Sequence, residues 1–207
     1  MKDAVDRLTP LGVIVLALLR EGDMHPYEMI RVLRQRRDDR LVPITNGTMY
    51  HTVARLTRAG LLAEVGTDRD GNRPERTTYS LTTEGRDAVA DWVRRELGRI
   101  DRPAEFRVAL AEAHNLDREE VEDLLTARRA ALTAEYTIHR DGLGKSRQRR
   151  VPEQYLVEID RQTALLDAEL RWTDEFLARL QNTDIDWGPP QHPETASGPG
   201  YREATPS

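Results

Sequence analysis

Hydrogen-bonding side chains recur on one side of a helix that the sequence predicts near residue 50. Its inward side has apolar residues at helical spacing: Met49, Val53 and Leu56. Its opposite side has donors, acceptors and a phenol: Thr48, Tyr50, His51 and Arg55. A helix that reads base edges in a duplex needs such a polar side, although a solvated helix face has a similar composition. Thr45 or Asn46 can cap the helix, and both are included among the candidate contact residues.

A cationic turn follows this helix, which Gly60 can end. The sequence predicts a strand at 61–65, a polar turn at 68–74 and a returning strand at 76–81. Cationic or amide side chains leave the turn together: Arg69, Asn72, Arg73 and Arg76. Such side chains suit phosphates or a narrow minor groove. A hairpin of mixed charge is the alternative, because acidic residues stand among the arginines.

The surrounding elements give an order of three helices, a hairpin and a fourth helix. Helix starts and stops mark them along the chain: Thr9-Pro10, His25-Pro26, Thr82 or Thr83, and Gly98. Three helices followed by a two-stranded wing is the winged form of the helix-turn-helix, in which the third helix enters the major groove. We therefore expect a mostly α fold with a small β wing in the first hundred residues.

A long helix is predicted in the second half, after a short one that begins near residue 103. Asp117 with Glu120 forms an acidic capping pair at its start. We expect Gly142 and Gly144 to break it. The basic segment 145–150 then forms a loop, which either contacts phosphate or connects to the next helix.

Leucines, an isoleucine and threonines alternate in steps of three and four after Pro152. This heptad seam runs for nearly four heptads: Leu156, Ile159, Thr163, Leu166, Leu170, Thr173, Leu177 and Leu180. The spacing is typical of a coiled coil and favours dimerisation through this seam. Packing within one chain, against the helix at 117–140, is the alternative.

These patterns divide the chain into three parts. We predict a winged helix-turn-helix DNA-binding domain at 1–98, a helical, coiled-coil-like dimerisation domain at 99–181 and a disordered tail rich in proline and glycine at 182–207. The chain has a net charge of −5, but residues 1–100 carry +2 and the remainder −7. Because nucleic-acid affinity depends on the local field, the acidic total does not exclude DNA binding.

Other classes of protein are disfavoured. The chain has no cysteine, which excludes disulfides and thiolate metal sites and makes a cytoplasmic location the expectation. The longest apolar run, residues 11–19, is far short of the roughly twenty residues that span a bilayer, so we predict no membrane helix. The histidines have no metal spacing, and no phosphate-binding glycine loop or nucleophile motif is present. We expect no enzyme, no metal and no cofactor.

The sequence resembles the PadR-like transcriptional regulators over roughly residues 9–97. The order and spacing of five segments carry the resemblance: Leu16-Ala17-Leu18-Leu19, His25-Pro26-Tyr27-Glu28, Asn46-Gly47-Thr48-Met49-Tyr50, Arg55-Leu56 to Gly60-Leu61-Leu62, and Gly71-Asn72-Arg73-Pro74 to Tyr79-Ser80-Leu81-Thr82-Thr83-Glu84-Gly85. The resemblance implies a winged-helix repressor that dimerises through C-terminal helices and often releases its operator when a small molecule binds.

The resemblance also implies which residues contact double-stranded DNA. The family's contacts on the third helix and the wing match Thr48, Tyr50, Arg55, Arg73 and Arg76. His51 departs from the family, which usually has a proline after the tyrosine. A homodimer is expected to bind a palindromic operator, with its recognition helices facing half-sites ~34 Å apart. The alternative function is a protein–protein adaptor that uses the helical half and keeps the winged fold as a scaffold.

Trp92 is a candidate for contact with an effector. It lies on the predicted fourth helix, where an aromatic residue in some members of the family lines a pore between subunits. We hypothesise that Trp92 and the C-terminal helices bind a small aromatic or amphipathic effector. Packing of Trp92 in the core is the alternative.

Overall fold

The structure, a computed structural model, describes residues 8–68 and 76–188 of the chain. Its helices are α1 (Pro10–Leu18), α2 (Pro26–Gln35), α3 (Asn46–Arg58), α4 (Thr83–Leu97), α5 (Pro103–Ala111), α6 (Arg118–Gln148) and α7 (Val157–Gln181). Two strands, β1 (Leu62–Asp68) and β2 (Arg76–Leu81), pair antiparallel between α3 and α4. The predicted fold class, mostly α with a small β wing and a helical C-terminal half, is confirmed.

Helix α1 lies at the centre of the winged unit. Residues 11–18 are all buried, as expected of a helix that is apolar on every side. Thr9 caps it, since the Thr9 hydroxyl accepts a hydrogen bond from the Gly12 amide at 3.2 Å, and Pro10 occupies the first turn. The predicted helix start is therefore confirmed.

Helices α2 and α3 both begin with reciprocal caps. At α2 the Tyr27 amide donates to His25 Nδ1 at 3.1 Å, and the His25 amide donates to the Glu28 carboxylate at 3.1 Å. At α3 the Thr45 hydroxyl accepts from the Thr48 amide at 3.1 Å, and the Thr48 hydroxyl accepts from the Thr45 amide at 3.0 Å. Of the two candidate caps of α3, the structure uses the first.

The wing is a two-stranded hairpin, and one residue of the loop before α2 pairs with its second strand. Strand β2 has the predicted bounds, whereas β1 continues three residues beyond its predicted end at Val65. Met24 and Tyr79 exchange two backbone hydrogen bonds of 3.1 Å, which add a short third edge to the hairpin. This edge joins the wing to the start of α2.

Thr82 joins the end of α3 to the base of the wing and to α4. Its hydroxyl donates to the Gly60 carbonyl at 2.9 Å and accepts from the Gly85 amide at 3.0 Å. Its amide donates to the Leu61 carbonyl at 3.3 Å. Gly60 has φ +73°, the left-handed conformation that lets the chain leave a helix. The base of the wing therefore has a fixed position relative to α3.

Helix α6 continues through the two glycines that were predicted to break it. Gly142 and Gly144 lie within its bounds, and Leu143 between them is buried. Each interior glycine costs about 1 kcal/mol relative to alanine, which burial of a leucine outweighs. The helix ends at Gln148, and Arg150 has φ 59° beyond it.

The predicted basic loop at 145–150 is also wrong. Residues 145–148 form the last turn of α6. The Arg147 guanidinium donates to Glu153 at 3.2 Å and to Asp160 at 3.0 Å, so it closes the connection to α7. At the other end of α6, Asp117 is the N-cap residue as predicted, but its side chain makes no capping hydrogen bond.

The heptad seam of α7 packs within the chain. Five residues of the seam are buried within the single chain: Leu156, Leu166, Thr173, Leu177 and Leu180. The other three are half-buried: Ile159, Thr163 and Leu170. Helix α6 is the main neighbour of α7. The intrachain alternative therefore describes the seam, because steps of three and four mark a buried helix face without identifying its partner.

The segment after α7 is fastened to the start of α6. Trp187 Nε1 donates to the Leu116 carbonyl at 2.9 Å, and the Arg118 guanidinium donates to the carbonyls of Leu180 and Ile185 at 2.8 Å. The predicted disordered tail at 182–207 is therefore wrong for 182–188. Residues 189–207 lie outside the described part of the chain.

One buried apolar cluster joins the two predicted domains. It continues from α1 through α4 and α5 to Val121 and Leu125 of α6 and to Leu177 and Leu180 of α7. A boundary near residue 98 therefore stays a prediction. No helix in the described residues has a stretch that is long and apolar enough to cross a membrane.

Candidate nucleic-acid interface

The outward ridge of α3 alternates small and long residues. It consists of four exposed residues at steps of four and three: Gly47, His51, Ala54 and Arg58. The buried side of the helix lies opposite, at Met49, Val53 and Leu56. A Cβ added at Gly47 would meet nothing within 4 Å. The ridge therefore allows a close approach of the backbone to a partner while two long polar side chains extend from it.

Two of the predicted contact residues hold the start of α3. Besides the reciprocal amide bonds of the cap, the Thr48 hydroxyl donates to the Thr45 carbonyl at 3.0 Å, and the two hydroxyls are 3.0 Å apart. Their polar groups are thus engaged within the protein. Both side chains are exposed, but their evident role is to fix the first turn of the helix.

Three other predicted contact residues lie exposed on the first half of α3. Asn46 is its first residue, and Tyr50 and His51 follow within two turns. The ring of Tyr50 meets the ring of His25 edge-on, with centroids 6.3 Å apart. This contact links the middle of α3 to the cap of α2, so the two helices present one continuous surface.

Arg55 is bound to the start of α1. Its Nη2 donates to the Thr9 hydroxyl at 2.9 Å, across 46 positions of sequence, and the side chain is half-buried. Thr9 Oγ1 therefore accepts from the Gly12 amide and from Arg55 together. This contact ties α3 to α1, and it was not visible in the helical spacing that selected Arg55.

The wing is described at its base only. Arg69, Asn72 and Arg73 lie outside the described residues, and Arg76 begins β2 opposite Asp68. At the base, burial, followed by the Glu64 carboxylate and the Tyr50 phenol, raises the pKa of Tyr79. The phenol of Tyr79 therefore stays protonated beside α3 at neutral pH.

Sequence reasoning missed four exposed residues of the helix-turn-helix. They are Arg58 on α3 and the stripe Tyr27, Arg31 and Arg34 on α2. Their spacing was the available signal: Arg58 follows His51 by seven residues, and the stripe advances in steps of four and three. The stripe lies away from the buried side of α2, which includes Met29 and Leu33.

The ligand prediction for Trp92 is not supported by its position. Only 1% of its surface is exposed, and it belongs to the apolar core, so the packing alternative describes it. A groove of about 320 Å³ lies instead between α5 and α7. Its walls are mostly apolar and include one indole: Pro103, Phe106, Arg107, Leu110, Glu169 and Trp172.

A mostly buried carboxylate lies where the winged unit meets the helical half. Burial raises the pKa of Glu112 to about 7, against a hydrogen bond from Asn115 that lowers it. The nearby charges oppose one another, since Asp38 and Glu21 raise the pKa and Arg20 lowers it. Glu112 therefore changes its charge near neutral pH.

A family model matches the part of the chain that contains these elements. The model is the transcriptional regulator PadR-like family, and it matches residues 15–91. The matched range runs from α1 into α4 and includes α2, α3 and the wing. None of the curated proteins matches the chain.

Several solved structures are similar to the chain. Bacillus subtilis PadR in complex with operator DNA is 20% identical, with 82% of this chain and 98% of that chain covered and a TM-score of 0.40. A transcriptional regulator from Clostridium thermocellum is 32% identical, with 39% and 73% covered and a TM-score of 0.32. Bacillus subtilis PadR in complex with p-coumaric acid is 18% identical, with 84% and 99% covered and a TM-score of 0.37.

Proposed function

This chain belongs, through residues 15–91, to the PadR-like family of transcriptional regulators, and from that premise we propose that it binds duplex DNA sequence-specifically as a repressor. The observation that carries the proposal is the outward ridge of α3 beside a wing whose base is fixed to the end of that helix. A major groove about 12 Å wide admits one α-helix, and a neighbouring hairpin then meets the backbone. The protein acts where the chromosome is, in the cytoplasm.

The base-reading side chains of this proposal lie on the first half of α3. Recognition helices contact base edges mainly with their N-terminal residues. Asn46, Tyr50 and His51 are exposed there and offer an amide, a phenol and an imidazole. Thr45 and Thr48 support them indirectly, because their hydroxyls hold the first turn in place.

The wing supplies contacts to the DNA backbone in this proposal. Four residues have the predicted role of donating hydrogen bonds to phosphates or to a narrow minor groove: Arg69, Asn72, Arg73 and Arg76. The fixed base of the hairpin supports this role, since Thr82 binds the carbonyls of Gly60 and Leu61 between α3 and β1.

The functional unit of the proposal is a homodimer on a palindrome. Two copies double the contacts and place two recognition helices about one helical turn apart. Because the heptad seam is occupied within the chain, a second copy packs on the outer surface of α6 and α7. Large apolar side chains remain exposed on these helices and on the turn between them: Ile138, Tyr155, Val157, Leu165 and Trp172.

Release by a small aromatic or amphipathic effector completes the proposal. The groove between α5 and α7 suits such a molecule better than Trp92, because its volume of about 320 Å³ is that of a small ligand site and the Trp172 indole lines it. An occupant would touch α5, which packs against α4 of the winged unit. Such an effector would release DNA only if it binds the DNA-free conformation of the protein more tightly than the DNA-bound conformation.

The test is binding of the purified full chain to DNA from upstream of its own gene, with His51→Ala compared against His139→Ala. We expect affinity for one palindromic segment that falls steeply with salt, because phosphate contacts release counterions. His51→Ala should weaken preference for that segment, whereas His139, on α6, should be neutral. Binding to no duplex in dilute salt would instead favour the adaptor alternative.

A further inference from the structure

Three exposed arginines on helices α2 and α3 have no ion-pair partner among the described residues. Arg31 and Arg34 lie on α2, and Arg58 lies at the end of α3. Carboxylates are available nearby, since Arg36 at the end of α2 pairs with Glu21 at 2.5 Å. The three arginines are therefore left with their charge exposed on a unit that does pair other arginines.

The two arginines of α2 lie on the side of the helix that carries Tyr27. Residues 27, 31 and 34 advance by four and three, so they form one stripe along the helix. The stripe begins beside His25, whose ring contacts Tyr50 of α3. The α2 stripe thus starts next to the surface that carries the base-reading side chains.

Arg58 lies at the far end of the outward ridge. Seven residues separate it from His51, a rise of about 10.5 Å along the helix. Its Nε donates to the Ala54 carbonyl at 3.2 Å, which orients the guanidinium along the helix. The major groove is about 12 Å wide, so a side chain this far along the helix from the base-reading residues reaches the sugar–phosphate backbone at the edge of the groove.

We propose that Arg31, Arg34 and Arg58 form a phosphate-binding surface that flanks the base-reading side chains. This inference rests on the proposed DNA binding and adds contacts that the wing and the first half of α3 do not provide. A guanidinium offers a planar pair of donors that matches two phosphate oxygens, and it needs no neutralising partner in the free protein. Arg55 is not part of this surface, because Thr9 holds it.

The experiment compares two variants with a control of equal charge. Arg58→Gln and the double variant Arg31→Gln/Arg34→Gln test the surface. Arg149→Gln/Arg150→Gln is the control, because both residues are exposed beyond the end of α6 and have no ion-pair partner among the described residues. Binding of each full-length variant is measured from 50 to 200 mM salt, to the palindromic segment that the wild type prefers and to a duplex of scrambled sequence.

We expect both surface variants to flatten the salt dependence, by about 0.9 in the slope of log K against log salt for each phosphate that the variant no longer neutralises. Affinity for both duplexes should fall by the same factor, with thermal stability unchanged, and the control should keep the wild-type slope. An unchanged slope in the surface variants, or an equal change in the control, overturns the inference. Altered preference at one base pair in Arg58→Gln overturns the phosphate role of Arg58.

Failure of the underlying function has a different signature. If the wild-type protein binds neither duplex at 50 mM salt, both the proposed function and this surface are wrong. If the wild type binds and the surface variants behave like the control, the function stands and the surface is wrong. Binding of the wild type to anionic lipid vesicles but to no duplex would assign the arginines to another partner and also overturn the proposal.

Discussion

Arginines are used differently in the two halves of the molecule. In the helix-turn-helix, Arg31, Arg34 and Arg58 remain exposed and have no ion-pair partner among the described residues. From α4 onward nine of the sixteen described arginines pair with a carboxylate: Arg94 with Glu120, Arg95 and Arg102 with Glu96, Arg99 with Asp101, Arg128 with Glu169, Arg129 with Asp174, Arg140 with Asp141, Arg147 with Glu153, and Arg171 with Asp167.

This difference teaches more than the net charge does. Exposed ion pairs contribute about 0–1 kcal/mol each, so pairing in the helical half mainly removes free charge from its surface. The positive charge of an unpaired guanidinium is not neutralised within the protein, so it can attract an anionic partner from solution. The chain as a whole is acidic, at −5, yet Arg31, Arg34 and Arg58 leave uncompensated positive charge on α2 and α3. The comparison predicts structural arginines in one half and binding arginines in the other.

The largest effect should come from Arg128, the buried arginine of the helical half. Its side chain is 1% exposed, its guanidinium lies 3.5 Å from the Phe106 ring centroid, and it donates to Glu169 and to the Arg99 carbonyl. Arg128→Ala should lower the free energy of unfolding by about 3–5 kcal/mol, because it leaves these partners unsatisfied around a cavity. Urea unfolding measures it.

The matched control is the next residue along α6. Arg129 pairs with Asp174, but both side chains are about half exposed. Arg129→Ala should therefore leave the free energy of unfolding close to that of wild type, because an exposed ion pair contributes little to stability. Equal losses in the two variants would contradict a structural role that depends on burial.

A second prediction concerns the border between the two halves, where Glu112 has a pKa raised to about 7 from 4.5. The folded protein then binds more protons than the unfolded chain, so the contribution of Glu112 is fully present below about pH 4.5 and is lost as the pH rises through 7. Glu112→Gln, neutral throughout, should be roughly 2–3 kcal/mol more stable than wild type at pH 8 and equal to it near pH 4.5.

Melting curves across this pH range measure the difference, with Glu175→Gln as the control. Glu175 is exposed on α7, so its variant should follow the wild-type profile. A constant offset between Glu112→Gln and wild type at every pH would show that the substitution changes packing and not ionisation.

Local signals in the sequence were sufficient for most of the winged unit. Thr9 and Thr82 cap helices and Gly60 ends one, because each acts on the backbone within four residues. Spacing could not identify the partner of a buried face. The seam of α7 packs on α6 of the same chain, and burial of Leu143 lets α6 continue past Gly142 and Gly144. Both outcomes depend on tertiary contacts, which helical spacing does not reveal.

The candidate site shows the same division. Helical spacing placed Tyr50 and His51 on the exposed side of α3, where the structure has them. The same spacing chose Arg55 and passed over Arg58. The contact that distinguishes them comes from Thr9, 46 residues away, and no local pattern encodes it. The roles of these residues in DNA binding stay predictions.

A third prediction compares glycines from the two halves. A Cβ at Gly85 would collide with the Leu61 carbonyl oxygen and the Leu81 side chain, at the junction that fixes the wing. Gly85→Ala should lower the free energy of unfolding by about 1–3 kcal/mol. Gly142→Ala, inside α6 with nothing within 4 Å, should raise it by about 0.5–1 kcal/mol. Chemical denaturation gives both, and effects of the same sign would contradict the packing at the wing junction.

The smallest effect should separate two arginines of α3 that differ by less than one turn. Arg55→Gln removes the donor to the Thr9 hydroxyl and should lower the free energy of unfolding by about 1 kcal/mol, a typical value for one hydrogen bond. Arg58→Gln removes only a donor to the carbonyl of its own helix, so its stability should stay within about 0.5 kcal/mol of wild type. Urea unfolding of both variants at one pH resolves the pair. A larger loss for Arg58→Gln would mean that the exposed cation stabilises the fold, and the division of arginines between structure and binding would fail for Arg58.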